Sequence, residues 1–263
     1  MTKSAYHLNY INKSLKLLWK QQFIHPLNFW VTSIAVFLVF LTGYASIYFL
    51  MLKFGNVASW NIHQITFLYG LYVLCYGLTN VVMSQFKYFD SYVHRGKLDI
   101  LLCRPRNVLL QIALQGFEFV SFGHISLGIL LLFVSSIQLK MQWDLWVLGK
   151  LLLVVLNAVL MMAAIYIIGA VASIFIIQGR QVRDLAFMTL QNYLVYPLEA
   201  YHPWTRIIIT AIPLSFILYF PVRWLMDDSA NAGIFTLGTG ILFLTGAIWL
   251  WNRMLCRYDG SSS

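Results

Sequence analysis

The run Phe29–Leu52, FWVTSIAVFLVFLTGYASIYFLML, carries 24 residues without a charged side chain. A bilayer core of about 30 Å needs roughly 20 apolar residues in helix, so this run reads as a membrane span and decides the fold class. Similar runs follow at Ile65–Met83, Val108–Ile137, Leu151–Ile177 and Ala232–Trp251. A shorter one, Ile207–Val222, is interrupted by Pro213 and Pro221. The runs are continuously apolar rather than alternating, which favours helices over a β-barrel. Composition agrees. Hydrophobic types make up 60% of the 263 residues and charged types 10%, against roughly 45–50% and 25% in soluble chains. Disorder is excluded by the same figures. The net charge of +9 comes without a basic tract or zinc-ligand spacing, which argues against nucleic acid. The expectation is an all-α, six-span integral membrane protein.

Lys and Arg mark the cytoplasmic side of a membrane protein. With the N-terminus inside, Lys3, Lys13, Lys16 and Lys20 are cytoplasmic, as are Lys87, Arg95, Lys97, Arg104 and Arg106 between the second and third spans. Arg180, Arg183, Arg253 and Arg257 fall on the same side, and only Lys53, Lys140, Lys150 and Arg223 fall outside, with Arg206 unassigned. Both termini are therefore expected in the cytoplasm. Trp30, Trp60, Trp143, Trp146, Trp224 and Trp249 lie near proposed span ends, as an interfacial aromatic belt requires. Cys75, Cys103 and Cys256 are scattered and form neither a disulfide framework nor a metal-binding pair. No metal site is expected.

The stretch 184–222 is harder to place. Asp184–Trp204 is moderately apolar but holds Gln191, Asn192, Pro197, Glu199 and Pro203. Either it is interfacial and Ile207–Val222 crosses, or it crosses and Ile207–Val222 dips in and returns. Pro213 and Pro221 favour the re-entrant version, because each removes a backbone donor inside the membrane.

Residues 1–28 precede the first span. Leu8, Ile11, Leu15, Leu18 and Trp19 share one helical face, with Lys13, Lys16 and Lys20 opposite, and Pro26 ends the pattern. Such a helix lies flat in the headgroup region as a membrane anchor or a partner contact.

The connection Gln85–Asn107, QFKYFDSYVHRGKLDILLCRPRN, is larger than a joint between two spans needs. Phe86, Phe89 and Val93 give one sided helix. Gly96 permits a turn, Leu98, Leu101 and Leu102 mark a second helix over Lys97–Cys103, and Pro105 stops it. Lys87, Asp90, Arg95, Lys97, Asp99 and Arg104 alternate in sign along it. The bland reading is a solvated loop; the sharper one is a docking surface that transmits force. Just beyond, Gln111, Gln115 and Glu118 share a face at the start of the third span. They either line a cytoplasmic vestibule or bond to a neighbouring helix. Asn157 reads as interhelical glue, and Gly233, Gly238, Gly240 and Gly246 as packing positions in the last span.

His94 and Asp99 also spell H-x-x-x-x-D, a pattern of membrane acyltransferases, but two residues at free spacing match by chance and there is no room for the soluble domain such enzymes need. No G-x-S-x-G, H-E-x-x-H or phosphate-binding G-x-x-x-x-G-K-[ST] occurs. A chain without that loop has to draw its energy from elsewhere.

Gly96, Leu98, Asp99, Leu101, Leu102, Arg104 and Pro105 spell G-x-L-D-x-L-L-x-R-P. This closely resembles the cytoplasmic loop of permeases in the type 2 ATP-binding-cassette exporters. Tyr196–Tyr201 (YPLEAY), Ile212–Pro221 (IPLSFILYFP) and the ending W-x-x-x-x-x-R-Y at Trp251–Tyr258 resemble the same family. The resemblance implies an N-terminal interfacial helix over 1–28 and a six-span domain over 29–263. It also implies a coupling helix within 85–107 and re-entrant helices within 184–222, with Pro197, Glu199, Pro203, Pro213 and Pro221 in that element. Two permeases, as a homodimer or heterodimer, would sit on two copies of a separate ATPase that holds ATP and Mg. The chain itself would carry no cofactor and no catalytic residue. The docking handle would be Tyr88–Arg104 together with Pro105: Phe89, Tyr92 and Leu98 for packing, Arg95, Asp99 and Arg104 for orientation, with Tyr88, Asp90 and Gly96 in the same knuckle. The expected cargo is amphipathic: a lipid, drug, peptide or glycan moved across a bacterial cytoplasmic membrane. Rival readings are a stand-alone membrane enzyme, a membrane scaffold and a secondary transporter, the last disfavoured because no carboxylate pair sits at mid-membrane.

Overall fold

The computed structural model describes residues 13–14, 16–20, 24–57, 59–175, 192–226 and 233–258. Among these residues every regular element is helical. The long helices are α1 (Pro26–Phe54), α2 (Ile62–Met83), α6 (Phe122–Gln138), α7 (Leu145–Phe175) and α10 (Gly233–Leu255). Between α2 and α6 lie three short helices, α3 (Phe89–His94), α4 (Lys97–Leu102) and α5 (Val108–Ala113). Between α7 and α10 lie α8 (Pro203–Ala211) and α9 (Tyr219–Met226).

Local chemistry sets the helix starts. Pro26 opens α1, where its missing N–H would have had no partner in any case. Asn61 and Gln64 exchange side-chain to backbone bonds of 2.9 Å each at the start of α2, a reciprocal cap. Four helical stretches among the described residues are long and apolar enough to cross a bilayer: Pro26–Phe54, Ile62–His94, Phe119–Gln138 and Leu145–Ser173. The bent pair Pro203–Ala211 and Leu214–Met226 makes a fifth if it is counted as one span. The chain is a multi-pass membrane protein.

α2 is the axis of the bundle. Of its most apolar window 72% is buried, against 11% for α1. It packs mainly on α6 and then on α7, α10 packs along α7, and α1 leans on α6. The approach of α2 to α6 depends on Gly128, where an added Cβ would stand 2.6 Å from the backbone nitrogen of Leu74. α2 and α7 are also tied by Tyr166, whose hydroxyl donates to Asn80 Oδ1 at 2.5 Å in a buried site.

Two sequence expectations change here. The third apolar run is not one helix from Val108. α5 ends at Ala113, and the spanning helix begins at Phe119. The break centres on Gly116, which lies so close to Gln85 that a Cβ would stand 2.3 Å from its amide nitrogen. Beyond it the Glu118 N–H donates to the Val81 carbonyl of α2 at 3.2 Å, so the chain turns onto α2 instead of continuing. In α10, only Gly240 of Gly238, Gly240 and Gly246 meets a neighbour, the Asn157 side chain; the other two face open space. Leu8, Ile11, Leu15, Arg180, Arg183 and the part of Asp184–Trp204 up to Gln191 lie outside the described residues. Residues 16–20 are helical, and Trp19 meets Phe119 edge-on at 5.1 Å.

Candidate functional site

A knuckle of two short helices caps one end of the bundle. The 3₁₀ turn Ser84–Tyr88 leads out of α2 into α3, Gly96 reverses the chain, and α4 leads back toward α5. Gly96 has φ +63°, a left-handed conformation that side chains with a Cβ rarely adopt. Asn107 then caps α5 by accepting the Leu109 N–H at 2.9 Å.

The inward face of the knuckle is apolar and closed. Phe86, Phe89, Tyr92, Leu98 and Leu101 are all buried, on a floor that includes Ile112, Ala164, Ile167, Ala247 and Trp251. The Phe89 ring lies 5.0 Å from Trp251 and Phe86 lies 6.0 Å from it. Tyr92 donates to Gln85 Oε1 at 3.1 Å, and Lys97 sits 5.8 Å above the Tyr92 ring. Lys87 lies over the rings of Tyr76 and Tyr166 at 5.3 and 5.7 Å. The knuckle is thus bonded to α2, α7 and α10 at once.

This placement corrects the expectation that Phe89, Tyr92 and Leu98 meet a partner. Periodicity marks which side chains share a face but not what that face meets, and here it meets the chain's own spans. The outward face instead shows Tyr88, Arg95, Lys97, Ile100, Leu102 and Arg104, with Pro105 beside them. Ile100 and Leu102 are 59% and 41% exposed. Leu102, grouped by spacing with Leu98 and Leu101, is the last residue of α4 and projects past the floor. Ile100 was missed from sequence, although an apolar residue on the charged side of a short helix was the available signal. Asp90 and Asp99 each fall in the first turn of their helix, where a carboxylate faces unpaired backbone N–H groups.

Gln111, Gln115 and Glu118 do not form one vestibule face. Gln111 is 2% exposed, and its amide donates to the carbonyls of Leu101 and Arg106 at 3.2 and 3.1 Å. It staples the knuckle to α5. Gln115 and Glu118 lie past the end of that helix, Gln115 exposed and Glu118 half-buried.

At the opposite end of the bundle, the helices around Pro213 make a bent pair at 74°. Pro203 is the first residue of α8, and Pro221 lies in the first turn of α9, so both rings fall where an N–H is dispensable. Pro197 is buried just before the 3₁₀ turn Leu198–Ala200. Glu199 accepts from the Tyr219 hydroxyl and pairs with Arg223 at 3.5 Å. Arg206 donates to the Glu199 and Tyr201 carbonyls at 2.5 and 2.7 Å. The start of this segment is therefore clasped to its end. At its bend the Phe216 carbonyl accepts from Asn157 of α7 at 2.9 Å. Asn157 thus joins α7 to the bend.

Residues 34–262 match the family model described as ABC-2 family transporter protein. No curated protein and no solved structure is significantly similar to the chain. With most of its length matched on an all-helical, multi-pass frame, the chain belongs to the ABC-2 family of transporter proteins, as a permease of an ATP-binding-cassette system.

Proposed function

We propose that the chain is the membrane half of an ATP-driven exporter, with the knuckle Ser84–Asn107 as the coupling element on which a separate ATPase docks. The carrying observation is the division of the knuckle into two faces. Its inner face is wedged among α2, α7 and α10. Its outer face offers Ile100 and Leu102 amid Arg95, Lys97 and Arg104. A rigid knob held by three spans at once converts a displacement of its socket into tilting of the bundle. The apolar pair supplies packing, and the cations supply orientation and encounter rate. ATP and Mg belong to the partner, two copies per complex.

The reading includes six crossings with both termini in the cytoplasm of a bacterial inner membrane. Glu199 and Arg223, the two ends of the bent segment, meet beside Trp60, near the start of α2 and away from the knuckle. That supports a re-entrant hairpin over α8 and α9 and leaves the fifth crossing to Asp184–Trp204. The largely uncovered surface of α1 supports pairing with a second permease, identical or not. The cargo is amphipathic: lipid-like, a drug or a glycan.

The test is recovery of the ATPase with the affinity-purified chain. Arg104→Glu combined with Ile100→Asp should abolish recovery while membrane insertion and melting temperature hold. Normal recovery by this variant would remove the knuckle from the interface.

A further inference from the structure

A groove of about 500 Å³ runs between the first turns of α1 and the first turns of α6. Its floor is the crossing of the two helices, where a Cβ on Gly123 would stand 2.3 Å from the Ser33 carbonyl oxygen. Trp30 and Ile34 of α1 and Phe122 and Ile129 of α6 also line it, and all four are exposed. In a chain that crosses a bilayer, such an apolar face is open to lipid. Trp19 of the N-terminal segment lines the groove as well, edge-on against Phe119 at 5.1 Å. Polar groups in the lining are few. Ser126 donates to the Gly123 carbonyl at 3.0 Å. The Ser33 hydroxyl has no hydrogen-bond partner, although the residue is only 7% exposed. It keeps a donor to offer, which hydrocarbon cannot accept and an ester carbonyl can. Charge lies at the same place. Lys16 stands one helical turn before Trp19 and Lys20 directly follows it, both exposed. Residues 1–89 hold Lys3, Lys13, Lys16, Lys20, Lys53 and Lys87 and no Asp or Glu. Glu118, the acid beside Phe119, is half-buried where the chain turns onto α2.

We infer that this groove seats an anionic phospholipid as a resident of the fold. One acyl chain lies between α1 and α6, its ester carbonyl accepts from Ser33, and its headgroup meets Lys16 and Lys20. The volume falls within the roughly 300–1,000 Å³ of small-molecule sites, and the lining suits hydrocarbon. Lysine stems lie along apolar surface while their ammonium groups reach the headgroup level, the depth at which an amphipathic helix rests. A second copy of this chain suits the place less well. A two-fold interface sets the same patch against itself, and a flank with no acid in residues 1–89 brings no counter-charge to these lysines. The lipid would tie the N-terminal segment to both spans. The inference goes beyond the docking reading and needs no ATPase, so the experiment below can fail while knuckle docking succeeds, and the reverse.

The experiment is a titration of the delipidated, purified full chain, read by native mass spectrometry, with a phosphoglycerol lipid and the phosphocholine lipid of the same acyl chains. The wild type should bind the phosphoglycerol lipid several-fold more tightly. Lys16→Gln combined with Lys20→Gln should weaken that lipid by about tenfold and erase the preference, since each lysine beside an anionic headgroup contributes about fivefold. Both side chains are exposed, so this variant keeps its fold. Ser126→Phe fills the groove from an exposed position on α6 and should weaken both lipids, leaving the melting temperature of the lipid-free chain unchanged. Equal affinity of the wild type for the two lipids, a preference that survives the lysine changes, or undiminished binding by Ser126→Phe overturns the assignment. So does disulfide dimerisation in membranes of Ser126→Cys, in a chain carrying Cys103→Ser and Cys256→Ser, which would seat a second copy in the groove.

Discussion

Single residues in this chain act by what they touch. Tyr166 reaches across to Asn80 in the buried interior between α2 and α7. Hydrogen bonds between spans contribute modestly, since the unfolded chain in the membrane also finds partners. Tyr166→Phe should therefore lower stability by about 1 kcal/mol, read as a small drop in melting temperature in detergent. Gly128→Val should do far more, because backbone at 2.6 Å cannot give way; an unchanged melting temperature would show that α2 and α6 pack differently. His94 is exposed at the end of α3. His94→Ala should leave transport near wild type in a vesicle assay, whereas a His–Asp acyltransferase would lose its activity.

At the scale of the element, the knuckle has one buried and one exposed face, and two substitutions test the docking role proposed for the exposed one. Phe89→Ala empties a site against Trp251 and should cost about 3–5 kcal/mol by thermal unfolding. Ile100→Ala removes an exposed side chain. It should leave the melting temperature within a degree or two while reducing ATPase recovery in pull-down. The reverse pattern would mean that the buried face is the partner's. Gly96 belongs to the same element. Gly96→Val strains a left-handed turn and should uncouple α3 from α4, measured as ATPase turnover no longer stimulated by cargo.

The whole molecule makes a prediction about sidedness that needs no new residue. Cys103 and Cys256 are exposed, and Cys75 is buried. Cys103 lies on the knuckle and Cys256 just past the end of α10. An impermeant maleimide should label both in inside-out vesicles and neither in intact cells. Labelling of Cys103 from outside would place the knuckle on the wrong face for any cytoplasmic ATPase.

Much of this was legible along the chain. Spans announce themselves because a bilayer demands length and continuous apolarity, both local properties of sequence. Gly96, the short helices around it and the stop at Pro105 follow from equally local rules of turn and cap. Tertiary structure decided what those rules do not encode. Phe89 and Leu98 look alike as partner contacts or as core, and only the position of Trp251, more than 150 residues away in sequence, makes them core. Gln111 reads as a polar lining until two carbonyls of the knuckle claim its amide. The break at Gly116 and the clasp of Glu199 to Arg223 likewise depend on distant neighbours. The sequence by itself determined that this chain lives in a membrane and carries a helical knuckle. Which face of each element is spent inside the bundle, and which is left for others, was settled only by packing, because burial is a property of neighbours in space.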